Sequence, residues 1–398
     1  MNFDEIIDRR NTHSSKWDTM EQLYGVSQDD GIAMWVADTD FRPPACVQNA
    51  VEKMHEHGIY GYYGDDRGYY EAICWWMKTR HNWEVDPAWI FSTHGLVHGM
   101  AMCVDCFTQP GEGVILMTPV YHSFFRVLKA SGREVVECAL VNNAGRYEMD
   151  FGTWEAQLTG NEKMLVLCSP HNPGGRVWNR DELRGVAAFA KRHDLILVSD
   201  EIHHDLTFPG QTHIPMTTID ADITDRLIMM TATTKTFNIA GAHIGNVIIP
   251  DPELHAKFKQ RMTALGMSPN RFGLLMAEAA YSPEGADWVD NLMLYLEGNK
   301  TLFDATIAEI KGVNSMPLDA TYLAWVDFSG TGMARHEFTQ RVEKDARIAV
   351  NHGITFGAGG ASYLRFNLAT PRSRIQEACT RLKACLLYTS PSPRDPTS

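Results

Sequence analysis

The segment MLVLCSPHNPGG, residues 164–175, decides the fold: five apolar residues run without a polar interruption and stop at a cluster of Ser, Pro, Asn and Gly. A strand with one wet face alternates polar and apolar residues, whereas an unbroken run of this length is a strand covered on both faces, as in a parallel sheet. Two further segments repeat the design. LILVSDEIHHD (195–205) and RLIMMTATTKTFNIAG (226–241) each begin as apolar strands and end in polar residues. Helical periodicity fills the interval before the first of them, over Asp181–His193, which is the alternation expected of crossover connections in a parallel sheet.

Outward from this centre, strands are expected at Gly113–Met117, Met164–Cys168, Leu195–Ser199, Arg226–Thr231 and Gly245–Ile249. Helices are expected at Ala45–His57, Tyr69–His81, Asp181–His193 and Pro252–Leu265. A long helical stretch from Gly285 to Lys311 then leads to a more antiparallel region, with strands at Tyr322–Asp327 and Tyr363–Asn367 around a helix over Ala334–Asp345. The expected fold class is α/β, with a mainly parallel sheet in a large domain (46–284), a smaller α/β domain (285–384) and an N-terminal arm (1–45) that joins the small domain. Residues 385–398, CLLYTSPSPRDPTS, interrupt a helix that is proceeding normally through IQEACTRLKA and switch to Pro, Ser and Thr. The run resembles a translated sequencing adapter, so it is read as a non-native or disordered tail.

The 398 residues are 44% hydrophobic and 21% charged, enough for a large core and for more than one domain. The net charge of −13 is spread along the chain, with no basic run longer than Arg9-Arg10 or Lys191-Arg192. This balance argues against nucleic acid and anionic membranes as partners. The N-terminus MNFDEIIDRRNTHSSKW is charged where a secretion signal is apolar, and no apolar stretch nears the roughly 20 residues of a membrane span. A soluble, cytoplasmic protein is expected. The eight cysteines sit mostly inside apolar segments, which suits reduced thiols, and Cys103 and Cys106 form a CxxC with no second pair. No metal is expected.

Ligands of open α/β sheets bind beyond the carboxyl ends of the strands. Asn172, Asp200 and Lys235 lie at or just past three such ends and can converge on one ligand. Alone, each has a bland reading, as a turn, a cap and a solvated amine. Together they suit pyridoxal 5′-phosphate (PLP): an amine for the Schiff base, a carboxylate for the pyridinium nitrogen and an amide for the ring hydroxyl. Gly95, Leu96 and Val97 open a helical run, where backbone N–H groups can hold a phosphate. Thr231, Thr233 and Thr234 precede Lys235 and can add hydroxyls. Arg365 offers a fork that matches a substrate carboxylate, against the alternative of a structural salt bridge.

The ordered set HNPGG, SDEIH, TKTFNIAG and YLRFNLATPR resembles the class I/II aminotransferases, PLP enzymes of fold type I. The segments MWVADTDF (34–41), GIYGYYGDDRGYYEAICWWMKTRHNW (58–83) and TPVYHSF (118–124) are similar to the MalY/PatB-type branch of cystathionine β-lyases and cysteine-S-conjugate β-lyases. The resemblance implies Lys235 as the Schiff-base lysine, Asp200 as the pyridinium partner, Asn172 at the ring hydroxyl and Arg365 as the carboxylate anchor. It implies Tyr121 stacked on the ring, Thr234 in place of a serine, and backbone at Val36 and Ala37 near the substrate carboxylate. His203, which follows Asp200, is a candidate to pack beside the cofactor, against the commoner reading as a satisfied structural histidine. The resemblance also implies that Tyr62 reaches the phosphate of a neighbouring subunit, making the unit a homodimer. His243, where the branch often has glutamine, and the histidines of HGLVHG depart from the pattern. The implied activity is cleavage of cystathionine or another L-cysteine S-conjugate to a thiol, pyruvate and ammonia. The alternatives are an L-amino-acid aminotransferase and a PLP-binding regulatory protein.

Overall fold

The computed structural model describes residues 1–386. Of the expected tail, Cys385 and Leu386 continue the helix Arg372–Leu386, and residues 387–398 lie outside the described residues. Seven strands, β1 (Ile90–Thr93), β2 (Gly113–Leu116), β3 (Glu134–Glu137), β4 (Glu162–Cys168), β5 (Ile196–Asp200), β6 (Leu227–Thr231) and β7 (Gly245–Ile248), make one sheet in the order β1-β7-β6-β5-β4-β2-β3. From β3 through β6 all neighbours are parallel, and β7 runs antiparallel to both β6 and β1.

The unbroken apolar runs are explained by two covered faces. Successive residues of a strand point to opposite sides, and here they enter different cores. Val114, Leu116, Met164, Val166 and Val198 pack with Met100, Phe124 and Phe258. Ile115, Leu165, Leu167 and Leu197 pack with Trp76, Leu183 and Phe237. β1 and β3 escaped the sequence reading: IFST is short, and EVVE is an edge strand whose two glutamates are exposed.

Helices fall where periodicity placed them, with ends fixed by capping chemistry. Helix α1 (Arg67–His81) starts two residues before the expected Tyr69. Helix α2 (Leu96–Phe107) follows Gly95. Helix α3 (Arg180–Arg192) opens on a capping box in which Asn179 accepts from the Asp181 and Glu182 N–H groups and Glu182 accepts from the Asn179 N–H. Helix α4 (Pro283–Ala308) is the long helix, capped by Ser282 with proline at its first position. Beyond it, β8 (Asn314–Ser315), β9 (Leu323–Asp327), β10 (Asn351–His352) and β11 (Tyr363–Asn367) form an antiparallel sheet in the order β8-β9-β11-β10. The helix expected over Ala334–Asp345 is an α-helix at Arg335–Gln340 that widens into a π-helical turn over Arg341–Asp345.

The N-terminal segment is anchored by pairing and by charge. Ile32 and Ala33 pair in parallel with Ile348 and Ala349. The fully buried Lys16 contacts the Asp40 carboxylate at 3.1 Å, which also accepts from Trp17 Nε1 at 3.0 Å, and Arg9 binds Asp38 at 2.7 Å. These bonds fix the strap of residues 35–41 next to the ends of the large sheet. Among the described residues no helix is long and apolar enough to cross a membrane.

Candidate active site

Register aligns the strand ends: Cys168 of β4 pairs with Asp200 of β5, which pairs with Met230 of β6. Beyond this level opens a cavity of about 550 Å³, lined by Gly95, Leu96, Val97, Tyr121, Asn172, Asp200, His203, Thr234, Lys235 and Ala37. Three expected residues do not line it. Arg365 adjoins through Asn172, Val36 precedes Ala37 in the strap, and Tyr62 is fully exposed. Thr231 and Thr233 are buried outside the lining, and Thr231 instead accepts from Asn246 Nδ2 at 3.1 Å.

Asp200 is buried, and burial pushes its carboxyl up to about 7 against the opposing Ile202 N–H, which donates to Oδ1 at 3.1 Å, and the nearby Lys235 charge. A carboxylate this costly to ionise alone stabilises a cation placed opposite it. Lys235 Nζ donates to the Ala37 carbonyl oxygen at 2.7 Å, and Tyr322 Oη donates to the same oxygen at 3.1 Å. Tyr121 lines the cavity and stands roughly perpendicular to the His122 and Phe124 rings.

Arg365 is 2% exposed and forms no ion pair among the described residues. Its Nη1 donates to Asn172 Oδ1 at 2.9 Å, and Nη2 donates to the Trp35 carbonyl at 3.0 Å and to Asn351 Oδ1. Its Nε is buried without a partner. Burial draws this guanidinium down to about 10. With no carboxylate on it among the described residues, the geometry does not support a structural salt bridge, and an orphaned N–H beside a fork is what an incoming carboxylate satisfies.

The expected phosphate cradle depends on backbone geometry. Gly95 takes φ +86° and ψ 163°, a conformation open almost only to glycine, and a Cβ there would meet nothing within 4 Å. At Gly245 of β7, a Cβ would come within 3.0 Å of the Gly95 carbonyl carbon, so this glycine lets the sheet pack under the cradle. His94, His98 and His243 line the same cavity. His203 Nδ1 is buried without a partner, and its ring stands edge-on to Tyr322 at 6.2 Å.

The sequence reading missed the residues that hold the strap. Asn238 donates to the Thr39 and Phe41 carbonyls at 3.0 and 2.8 Å and accepts from the Thr39 N–H. Asn367 donates to the Val36 and Asp38 carbonyls, both at 2.6 Å. Their signal is proximity: Asn238 lies three residues past Lys235, and Asn367 two past Arg365. His122 was also missed; burial holds it near 4 and its Nδ1 has no partner. All eight cysteines are free, and burial raises the Cys103 and Cys106 thiols, the latter to about 11, which suppresses thiolate chemistry at the CxxC.

The model of the family "aminotransferase class I and II" matches residues 35–382. The chain belongs to this family. Among family members it is 37% identical to the cystathionine beta-lyase PatB of Bacillus subtilis (strain 168) over 389 residues, 97% of this chain and all of the relative. Cystalysin from Treponema denticola, whose crystal structure contains PLP, superposes with a TM-score of 0.92 at 35% identity over 97% of this chain and 98% of that one. The PLP-bound C–S lyase of Staphylococcus hominis superposes with a TM-score of 0.88 at 30% identity, over 97% and 98% of the two chains. The residues of this aminotransferase-family chain fit PLP: the unpartnered Arg365 Nε and His203 Nδ1, the buried Asp200 and the open space at Gly95 are what a phosphorylated pyridine and an amino acid could satisfy.

Proposed function

We propose that this chain is a PLP-dependent carbon–sulfur β-lyase that cleaves cystathionine or another L-cysteine S-conjugate to a thiol, pyruvate and ammonia. The observation that carries the amino-acid substrate class is the buried Arg365, which lacks a carboxylate and keeps Nε free beside Asn172. The full-length similarity to the B. subtilis lyase supports elimination over amino transfer. Aminotransferase activity is the second reading, favoured by the family itself.

Lys235 Nζ would hold PLP, which when bound would supply an aldehyde carbon and a protonated ring able to draw electrons from the substrate's Cα. Arg365 grips the substrate carboxylate with the donors that Asn172 and Asn351 leave free. Because Asn172 Oδ1 is already occupied by Arg365, its Nδ2 hydrogens are the part left to face the cofactor's ring oxygen. Asp200, ionised, would pair with the ring nitrogen, and Tyr121 would cover the ring. Lys235 Nζ, as a free amine, would take the Cα proton; the Ala37 carbonyl, which also accepts from Tyr322, holds that amine near the strap. The Cβ–S bond then breaks with its electrons on the departing thiolate, and water converts the three-carbon remainder to pyruvate and ammonia.

Tyr62 supports a homodimer in this account: it is fully exposed beside the exposed Ile59 and Tyr60, free to reach the phosphate of a second copy. The proposal places the enzyme in the cytoplasm, with residues 46–284 as the cofactor domain and 1–45 plus 285–384 as the small domain. The test is incubation of the purified, PLP-loaded protein with L-cystathionine and no keto acid. Sustained equimolar release of pyruvate and thiol is expected; turnover only when a keto acid is added would make the chain an aminotransferase.

A further inference from the structure

A second set of chemically capable side chains lies beneath the site, and none of them lines the cavity. Asp205, on the turn after β5, has a fully buried side chain. It accepts from Trp76 Nε1 at 2.8 Å and from Thr236 Oγ1 at 2.9 Å, and its Oδ1 lies 2.8 Å from His81 Nε2. No lysine or arginine is within ion-pair distance of it among the described residues, so the positive charge that balances this buried carboxylate at close range has to come from His81 and His204 or from a cation they bind.

His204 sharpens the deficit. Its Nδ1 lies 2.5 Å from the Glu201 carbonyl oxygen, and that contact requires the hydrogen to be on Nδ1. In the neutral ring Nε2 is then a bare lone pair. That atom is buried without a hydrogen-bond partner and lies 3.3 Å from Asp205 Oδ2. A lone pair this close to a carboxylate oxygen is repulsive unless a cation is shared between them. The nitrogen of His81, the nitrogen of His204 and an oxygen of Asp205 all lie within 4.8 Å of one another. Two imidazoles and a carboxylate suit a borderline ion of the zinc type. The backbone carbonyl behind His204 is the kind of outer partner that orients a ligating ring.

We propose that His81, His204 and Asp205 form a binding site for a divalent transition-metal ion of the zinc class. Coordination takes Nε2 of both histidines, with the His81 hydrogen shifting to Nδ1, and one Asp205 oxygen, while Trp76 and Thr236 continue to hold the carboxylate. The ion ties helix α1 to the turn that follows Asp200, the last residue of β5, and, through the Asp205 carboxylate, to Thr236 beside Lys235. Its role is structural, a clamp under the two elements that carry the cofactor contacts.

The test uses the PLP-loaded protein, stripped with chelator, offered micromolar Zn²⁺ and dialysed against metal-free buffer. Metal analysis is expected to find about one zinc per chain, with the melting temperature raised by several degrees. His204→Ala and His204→Gln are expected to retain under about a tenth of that zinc and to lose the shift, while keeping the absorbance of bound cofactor. X-ray absorption on the wild-type protein is expected to show nitrogen and oxygen neighbours near ~2.0–2.1 Å and no sulfur, which separates this site from Cys103 and Cys106. Wild-type protein that keeps no zinc would show that the cation at His204 is a proton and overturn the proposal. Equal retention by the variants, or sulfur in the absorption spectrum, would overturn it as well.

Discussion

Arg365 and Asn172 meet across 2.9 Å, the guanidinium Nη1 donating to the amide Oδ1. The bond joins β11 of the smaller sheet to the segment just past β4 of the larger one, so the proposed substrate anchor and cofactor contact are placed by a single interaction. It also fixes the polarity of both groups, turning the Asn172 hydrogens outward and leaving Arg365 Nε without a partner.

Arg365→Lys is expected to keep the fold and the bound PLP but to lower kcat/KM for a cysteine S-conjugate by roughly 100-fold or more, because a point charge cannot reproduce a fork at a buried site. Most of the loss should fall on KM. Steady-state kinetics with L-cystathionine checks this; an unchanged KM would remove Arg365 from substrate binding.

Asp200 makes the cofactor-free protein sensitive to pH. Its folded value of about 7 exceeds the ordinary 3.8, so between these values the folded state holds a proton that the unfolded chain has released. The contribution of Asp200 to stability therefore falls as pH rises through that window and levels off above it. Without PLP, Asp200→Asn is expected to be more stable than wild type at pH 8, by on the order of 2–4 kcal/mol, with the gap shrinking toward pH 4. Urea titrations at the two pH values check the sign. With PLP bound, the same variant should hold the cofactor less tightly.

Gly95→Ala tests the phosphate cradle without a clash, since a Cβ meets open space there. The strain of φ +86° at a non-glycine residue is of order 1–3 kcal/mol. PLP affinity, followed by the absorbance of bound cofactor, should fall, and added PLP should restore activity.

Asn367→Ala removes the donor shared by the Val36 and Asp38 carbonyls. A looser strap should raise KM more than it lowers kcat, with a stability loss of about 1–3 kcal/mol from the carbonyls left unpaired. A variant with lower stability but an unchanged KM would make Asn367 a structural residue only.

Asn172, Asp200 and Lys235 were legible in the sequence because each follows an apolar run whose end is visible, and a parallel sheet aligns such ends. The cradle at Gly95 was legible for a similar local reason, a glycine directly before a helix. Asn238, Asn367 and Tyr322 were not, because they act on backbone carbonyls far away in the chain: Asn238 and Thr39 are 199 residues apart, and any residue can supply a carbonyl. The His81, His204 and Asp205 cluster was hidden for the same reason, as its parts sit 124 residues apart on elements whose contact only the fold creates. The edge strand Glu134–Glu137 was obscured by the exposed charges that keep an edge from pairing further.

The central claim is that Lys235 carries the cofactor at the point where these elements meet. Borohydride reduction of the PLP-loaded protein, followed by proteolysis and mass spectrometry, tests it most directly. A single pyridoxyl adduct on Lys235, absent from Lys235→Ala, is the predicted result. An adduct on another lysine, or none from a protein that shows bound PLP, would contradict the account.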